Sequence, residues 1–161
     1  MDSRSANFVT TDRPYLDAEA ADMPVSANTP TDVAKLLARA RHQFVLGGAD
    51  YDNFADCLAT AFKAIDVLLR HSLGADAPKK ITLGPLIERC RAAGVLTEYE
   101  HEYLSRFVLH FRNKFAHPET VLAFTPGMSA ECLAGCHRFV AQFCDRKRGT
   151  AEVELPLWAK G

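Results

Sequence analysis

The longest regular pattern in the sequence is an apolar stripe with helical spacing between Asp50 and Leu73. Its apolar residues recur every three or four positions: Phe54, Leu58, Ala61, Ile65, Leu68 and Leu69. This spacing places the apolar side chains on one face of an α-helix, and Gly74 follows where a helix would end. A helix of this length must bury its apolar face against other elements, so the stripe predicts a central scaffold helix in a helical domain.

Two shorter segments on either side of this stripe have the same spacing. The first begins at Thr31 or Asp32, either of which is a plausible N-cap, and stops at the glycine pair 47–48. The other starts near Pro85, since proline is tolerated in a first helical turn, and ends at Gly94. Both are predicted helices.

A fourth helix is predicted from Thr97 to about Ala116. Thr97 and Glu100 form a capping-box pattern, in which each side chain satisfies a free backbone N–H of the first turn. Pro118 disfavours helical geometry at the residue before it, so the helix should end there. The apolar stripe of this helix is largely aromatic: Leu104, Phe107, Val108, Phe111 and Phe115.

A fifth helix follows a loop that contains Pro126 and Gly127. Ser129 can cap its start, and residues 145–149 close it. Its inner face is predicted to be Cys132, Cys136, Phe139, Val140 and Phe143. Five helical patterns without a convincing strand predict an all-α fold, an antiparallel bundle of about five helices joined by short loops.

The bundle is predicted to occupy residues 31–148, between two flexible tails. Residues 1–30 have no sustained apolar period, and their three prolines would interrupt any long helix, so they are predicted to be an N-terminal arm. Residues 149–161 form a predicted C-terminal tail, whose weak alternation is also compatible with a short strand. Apolar residues of the arm could instead dock on a partner: Phe8, Val9, Tyr15 and Leu16.

The charge balance limits the classes of binding that the chain supports. Nineteen basic residues stand against twenty acidic residues, giving a net charge of -1. This excludes a globally basic nucleic-acid binder, so any RNA contact must come from a local patch. The five cysteines lie mostly in helical patterns and suit reduced packing residues in the cytoplasm. No apolar run approaches the roughly 20 residues that cross a bilayer, so no membrane association is expected.

The cysteine pattern of the fifth helix raises the question of a metal site. Cys132, Cys136 and His137 are close together in sequence. The two cysteines lie on the predicted apolar stripe, however, and no second ligand pair has zinc-finger spacing. We therefore predict that they are packing residues and that the protein binds no metal.

The fourth helix also carries a polar stripe, which consists of Arg106, His110, Asn113 and His117. In a helix that turns about 100° per residue, this stripe lies roughly opposite the aromatic stripe. By the same geometry, Arg112 lies about 140° around the axis from His117. One chain would therefore present this pair poorly. Two fourth helices packed antiparallel about a two-fold axis would bring Arg112 and His117 of both chains into one composite site. Leu109, apolar but predicted on the outer side, fits such a contact.

These residue types are suited to cleaving RNA without a metal or other cofactor. The Arg112 guanidinium can bind phosphate through two hydrogen bonds, and the His117 imidazole titrates near neutral pH as an acid or base. Asn113 could orient either group, and the negative helix C-terminus favours protonated His117. The alternative, and the more common role of such residues, is a solvated surface on which Asn113 and His117 cap the last carbonyls.

Residues 112–117, RNKFAH, resemble the R-x4-6-H motif of the HEPN superfamily, including a polar residue after the arginine. The position also matches, late in a helix that follows a long helical hairpin. The resemblance covers about residues 50–145. It implies a metal-independent endoribonuclease of a toxin or antiphage defence system, with Arg112 and His117 catalytic and Asn113 in support.

A second resemblance points to a different function. Within that superfamily, residues 112–117 together with three further segments are similar to the mannitol operon repressor family and related helical domains: 83–86 (LGPL), 93–96 (AGVL) and 122–125 (LAFT). This resemblance implies a non-catalytic module that regulates a protein partner by binding it. Under either hypothesis, Arg106, His110 and Lys114 are the predicted RNA-binding or partner-binding residues, and a homodimer is expected for the nuclease.

Overall fold

The computed structural model describes residues 12–115 and 125–147, and every regular element within them is helical. In chain order the α-helices are α1 (Arg13–Ala21), α2 (Thr31–Leu46), α3 (Asn53–Leu73), α4 (Leu83–Ala92), α5 (Glu98–Tyr103), α6 (Leu109–Phe115) and α7 (Pro126–Lys147). A 3-10 turn (Gly74–Asp76) follows α3, and a π-helical segment (Leu104–Val108) joins α5 to α6. The prediction of an all-α bundle is confirmed.

The α2–α3 hairpin and α7 form the centre of the bundle. The apolar stripe of α3 is buried as predicted, and α7 packs against both α2 and α3. The aromatic side chains at this centre are almost fully removed from water: Phe44, Phe54 and Phe143. Burial of one such side chain contributes roughly 1.5–3 kcal/mol, so these three residues contribute substantially to the stability of the fold.

Helix α1 lies in the segment predicted to be an N-terminal arm. Pro14 occupies its first turn, where proline is tolerated, and the helix ends before Pro24. Leu16 is 0% exposed and Met23 is 5% exposed. The helix packs on α2 and α7 of the same chain, so the apolar anchor Leu16 is used within the bundle.

The predicted capping box at the start of the fourth predicted helix is confirmed. Thr97 Oγ1 accepts a hydrogen bond from the Glu100 N–H at 3.2 Å, and the Glu100 carboxylate accepts one from the Thr97 N–H at 2.8 Å. The predicted N-cap of α2 is wrong in position, because Pro30 and neither Thr31 nor Asp32 occupies it. The Asp32 carboxylate does accept a hydrogen bond from the Val33 N–H of the first turn, at 2.9 Å.

The predicted cap of α7 is also wrong. The helix begins earlier, at Pro126, and Thr125 Oγ1 accepts a hydrogen bond from the Met128 N–H at 3.1 Å. Ser129 is buried inside the helix, where its hydroxyl donates to the Phe54 carbonyl oxygen at 2.7 Å. Its side chain therefore links α7 to the start of α3, a contact that local sequence cannot reveal.

Residues 98–115 form one continuous helix, which we call the motif helix. It runs antiparallel to α7: Glu100 meets Arg146 near the C-terminal end of α7, and the Tyr103 ring lies 5.4 Å from the Phe139 ring further along. The C-terminal half of the motif helix is thereby directed toward the N-terminal end of α7.

Candidate functional site

The C-terminal half of the motif helix carries only basic charge. Between Tyr103 and Phe115 the sequence has two arginines, one lysine and one histidine, and no acidic residue. The first turn, in contrast, holds Glu98 and Glu100. Four of the predicted site residues on this half are exposed: Arg106, His110, Arg112 and Asn113. The fifth, Lys114, is half-buried. His117 lies outside the described residues.

The π-helical segment changes how the site residues are arranged around the helix. A π-helix closes i→i+5 hydrogen bonds and advances by a smaller angle per residue than the roughly 100° of an α-helix. Residues after Val108 are therefore rotated relative to a regular helix that begins at Thr97. Segments of this kind occur frequently at functional sites, and this one ends four residues before Arg112.

Because of this rotation, Leu109 faces a different side of the helix from the one that regular α-helical spacing predicts. Sequence spacing placed this residue on the outer side, where it was expected to support a dimer contact. In the structure Leu109 is half-buried and packs against the core, with its Cδ2 atom beside Gly84 on α4. The prediction that Leu109 forms an outer contact surface is wrong, because the π segment turns the side chain toward α4.

Arg106 and His110 lie in different environments on this surface. Arg106 Nη2 pairs with the Glu102 carboxylate at 3.0 Å, and the arginine side chain is 75% exposed. A surface pair of this kind contributes only about 0.2–1 kcal/mol, so the guanidinium can exchange its partner for a phosphate at little cost. The His110 ring packs edge-on against Phe111 at 5.6 Å, which restricts its orientation.

Arg112 and Asn113 lie at the end of the helix with their side chains exposed. Within residues 12–115 and 125–147, no acidic side chain pairs with Arg112. A guanidinium without a carboxylate partner is available to bind an anion through two parallel hydrogen bonds. The structure thus presents Arg112 and Asn113 together on an accessible helix end.

A groove of about 270 Å³ opens between the motif helix and α7. It is lined by Phe107 of the motif helix and by four residues of α7: Met128, Glu131, Cys132 and Gly135. The apolar stripes predicted from the sequence include Phe107 and Cys132 but neither Met128 nor Glu131. Met128 is 45% exposed. Met128 and Gly135 of α7 both line the groove. Their positions in the sequence do not indicate a groove, because it forms only where the motif helix faces α7.

The cysteines of α7 have the properties of packing residues. Burial raises the pKa of Cys132 to about 11 and that of Cys136 to about 12, so both thiols are neutral at physiological pH. In the part of the chain that the structure describes, no three His, Cys, Asp or Glu side chains are grouped to hold a metal ion. Neutral, buried thiols are poor nucleophiles, which fits the prediction that these cysteines are packing residues.

A second cavity, of about 600 Å³, lies at the C-terminal end of α3 and is lined by Val67, Arg70, His71, Gly74, Ala77 and Lys79. The Arg70 guanidinium pairs with Asp66 and donates to the carbonyl oxygens of Pro78 and Ile81. Because these donors hold the loop that follows α3, the cavity is a weaker candidate for ligand binding than the motif helix.

The chain matches no protein-family model, no curated protein and no solved structure. Among the described residues, no helix is both long enough and apolar enough to span a membrane.

Proposed function

We propose that this protein is a metal-independent endoribonuclease that acts as a homodimer, in the manner of HEPN toxins and antiphage defence proteins. The observation that carries the proposal is the exposure of Arg112 and Asn113 at the end of a helix half that bears only basic charge. Phosphate binding requires accessible cations without competing carboxylates, and Arg112 meets that requirement among the described residues.

In the proposed reaction, Arg112 binds the scissile phosphate and stabilises the negative charge that develops on it. The RNA 2′-oxygen loses its proton to a base and attacks phosphorus, while the bond to the 5′-oxygen breaks and that oxygen takes a proton from an acid. The products are a 2′,3′-cyclic phosphate and a 5′-hydroxyl. His117, assigned from the sequence motif, supplies the proton transfer, and Asn113 orients the reacting groups.

The dimer is proposed because one chain offers one arginine and one histidine, whereas two motif helices related by a two-fold axis would offer a pair of each. Since Leu109 is used within the bundle, we place the contact on the exposed polar face around His110 and Asn113. The five cysteines are free thiols, which suits our further proposal of a cytoplasmic protein.

Cleavage of a labelled single-stranded RNA in the presence of EDTA tests the proposal. We expect Arg112→Ala and His117→Ala each to reduce the rate by at least about 100-fold, the range of general acid-base catalysis. Arg39→Ala removes an exposed arginine from α2 and serves as the matched control, with wild-type activity expected. Wild-type rates for both motif variants would overturn the proposal.

The composite site can be tested separately by mixing two inactive variants. A heterodimer of Arg112→Ala and His117→Ala chains retains one arginine and one histidine across the interface. If the site is shared, this mixture should recover part of the activity that neither variant has alone. A mass measurement by light scattering should give twice the chain mass, and an active monomer would contradict the dimer.

A non-catalytic module that binds a protein partner is the second candidate. The exposed Met128 that lines the groove favours it, because a flexible methionine side chain adapts its shape to a protein ligand. This candidate predicts that purified protein cleaves no RNA. It also predicts a specific partner whose binding is lost on Arg106→Ala or His110→Ala substitution.

A further inference from the structure

We infer that residues 12–29 are a pH-sensitive strap, which opens away from the bundle in acid while the bundle itself stays folded. The strap consists of α1 and the segment that connects it to α2. Its opening is caused by protonation of His137 on α7, whose ring contacts the strap at Pro24. The strap is independent of the proposed nuclease, because its attachment involves none of the motif residues.

The strap buries little apolar surface of its own. Leu16 and Met23 are its two buried side chains, whereas Tyr15 and Val25 are 37% and 60% exposed. Helix α3, in contrast, buries nine side chains. Segments with few buried apolar contacts open at a lower free energy than the core of a protein does. The strap can therefore separate from the bundle without unfolding the helices that it covers.

Polar contacts with α7 supply much of the remaining attachment. The Asp145 carboxylate accepts hydrogen bonds from the Ser26 hydroxyl and from the Asn28 side-chain amide, the latter at 2.9 Å. About two turns earlier on α7, His137 Nδ1 lies 3.2 Å from the Pro24 carbonyl oxygen. A carbonyl oxygen only accepts, so Nδ1 carries the proton of the neutral ring and donates it. Both of these α7 side chains that hold the strap are titratable.

The site of His137 is unsuited to a second positive charge. The residue is 0% exposed, and Arg41 Nη1 lies 3.4 Å from Nδ1 and 3.5 Å from Nε2 of the ring. In the neutral ring Nε2 can accept a hydrogen bond from the guanidinium, but in the protonated ring both nitrogens are donors and the two cations repel each other. Among the described residues, Arg41 of α2 is the charged side chain that shifts the pKa of the ring, and α1, α3 and α7 contribute none. No described carboxylate therefore offsets the added charge.

Opening the strap removes Pro24 from the ring and admits water to it. In the closed state, burial and the Arg41 cation lower the pKa of His137 from 6.5 to about 4, and the Pro24 and Leu37 carbonyl oxygens offset this only in part. The open state therefore binds the proton more tightly. The contribution of neutral His137 to closure is complete above about pH 6.5 and is lost as the pH falls toward about 4. Between about pH 7 and about pH 5, the ratio of open to closed strap should rise about 20-fold.

Hydrogen exchange of the full chain, followed by NMR between about pH 5 and about pH 7 and corrected for the intrinsic exchange rate at each pH, measures the opening. Two amides report on the strap, because their acceptors also belong to it: Leu16 donates to the Asp12 oxygen and Asp22 to the Ala18 oxygen. We expect their protection factors to be lower than those of the α3 amides. We also expect them to fall about 20-fold between about pH 7 and about pH 5.

His137→Gln is the decisive variant. The glutamine amide can still donate to the Pro24 carbonyl oxygen but does not titrate, so the protection of the strap amides should lose this pH dependence. His42→Gln is the matched control, because it removes an exposed histidine next to Arg41 in α2, and it should keep the wild-type response. Arg41→Met tests the same step without changing the buried ring. It should reduce the response, since protonation of the ring then meets no neighbouring cation.

Three results would overturn the inference. Strap amides as strongly protected as those of α3 would mean that the strap opens only when the whole bundle unfolds. Protection that does not change with pH in the wild-type chain would exclude a titrating contact. A pH response that persists in His137→Gln would assign the proton uptake to another group. None of these measurements depends on RNA cleavage, so the strap and the proposed nuclease succeed or fail separately.

Discussion

Leu109 of the motif helix packs over Gly84 of α4, and its Cδ2 atom lies 3.5 Å from the position that a Cβ atom on residue 84 would occupy. This separation is ordinary van der Waals contact, so alanine should fit. Because glycine costs conformational entropy in a helix, Gly84→Ala should stabilise the protein by roughly 0.5 kcal/mol. The urea unfolding midpoint measures this, and a lower midpoint would contradict the packing of Leu109.

Gly47 at the end of α2 should respond in the opposite direction. A Cβ atom there would lie 2.4 Å from the nearest atom of the Phe54 ring, far inside van der Waals contact. The φ angle of Gly47 is -57°, which any residue can adopt, so the effect is purely steric. We expect Gly47→Ala to lower the free energy of unfolding by roughly 1–3 kcal/mol. A further Phe54→Leu substitution should relieve the clash, and a neutral Gly47→Ala would show that the ring can move.

The ion pair between Glu100 and Arg146 should be important for stability. Arg146 Nη2 lies 2.7 Å from the Glu100 carboxylate, whose side chain is only 4% exposed. Removing the arginine leaves a buried charge without its partner, so Arg146→Ala should cost about 2–3 kcal/mol. Arg91→Ala, which breaks the exposed pair with Glu98, is the control and should cost less than about 1 kcal/mol.

A second substitution shows whether the cost arises from the unpaired charge. Glu100→Gln keeps an acceptor for the capping box at Thr97 but removes the negative charge. Combined with Arg146→Ala, it should recover part of the lost stability in a double-mutant cycle. Strictly additive losses would mean that the two side chains do not interact energetically.

His137 should make stability depend on pH. Its side chain is fully buried, and its Nδ1 atom lies 3.2 Å from the Pro24 carbonyl oxygen. Burial, assisted by the Arg41 cation, lowers the pKa of His137 from 6.5 to about 4. The unfolded chain therefore binds this proton more readily than the folded chain does. The contribution of neutral His137 to the free energy of unfolding is complete above about pH 6.5 and is lost as the pH falls toward about 4.

Urea unfolding at two pH values tests this linkage. Between about pH 7 and about pH 5, the pKa shift of His137 should remove about 2 kcal/mol of the free energy of unfolding. A His137→Gln variant lacks the titrating group and should show a flatter dependence over this range. The same pH dependence in both proteins would assign the effect to other groups.

Much of the helical architecture could be predicted because it depends on local pattern. The apolar spacing along α3 identified a helix whose inner face is buried, and the Thr97–Glu100 pair identified the start of the motif helix. Both signals arise from residues within one or a few turns of each other. The basic character of the motif helix could also be predicted, since it requires only the order of the residues and the helical repeat.

The remaining features depend on residues distant in sequence. Leu16 packs α1 against the bundle. Ser129 does not cap its own helix, because its hydroxyl is hydrogen-bonded to the Phe54 carbonyl oxygen of α3. The π segment turns Leu109 toward Gly84, and the groove exists because Phe107 faces α7. The local pattern of a chain determines which helix faces must be buried. Packing between helices in three dimensions determines which neighbour covers each face, and hence which polar groups stay exposed to solvent.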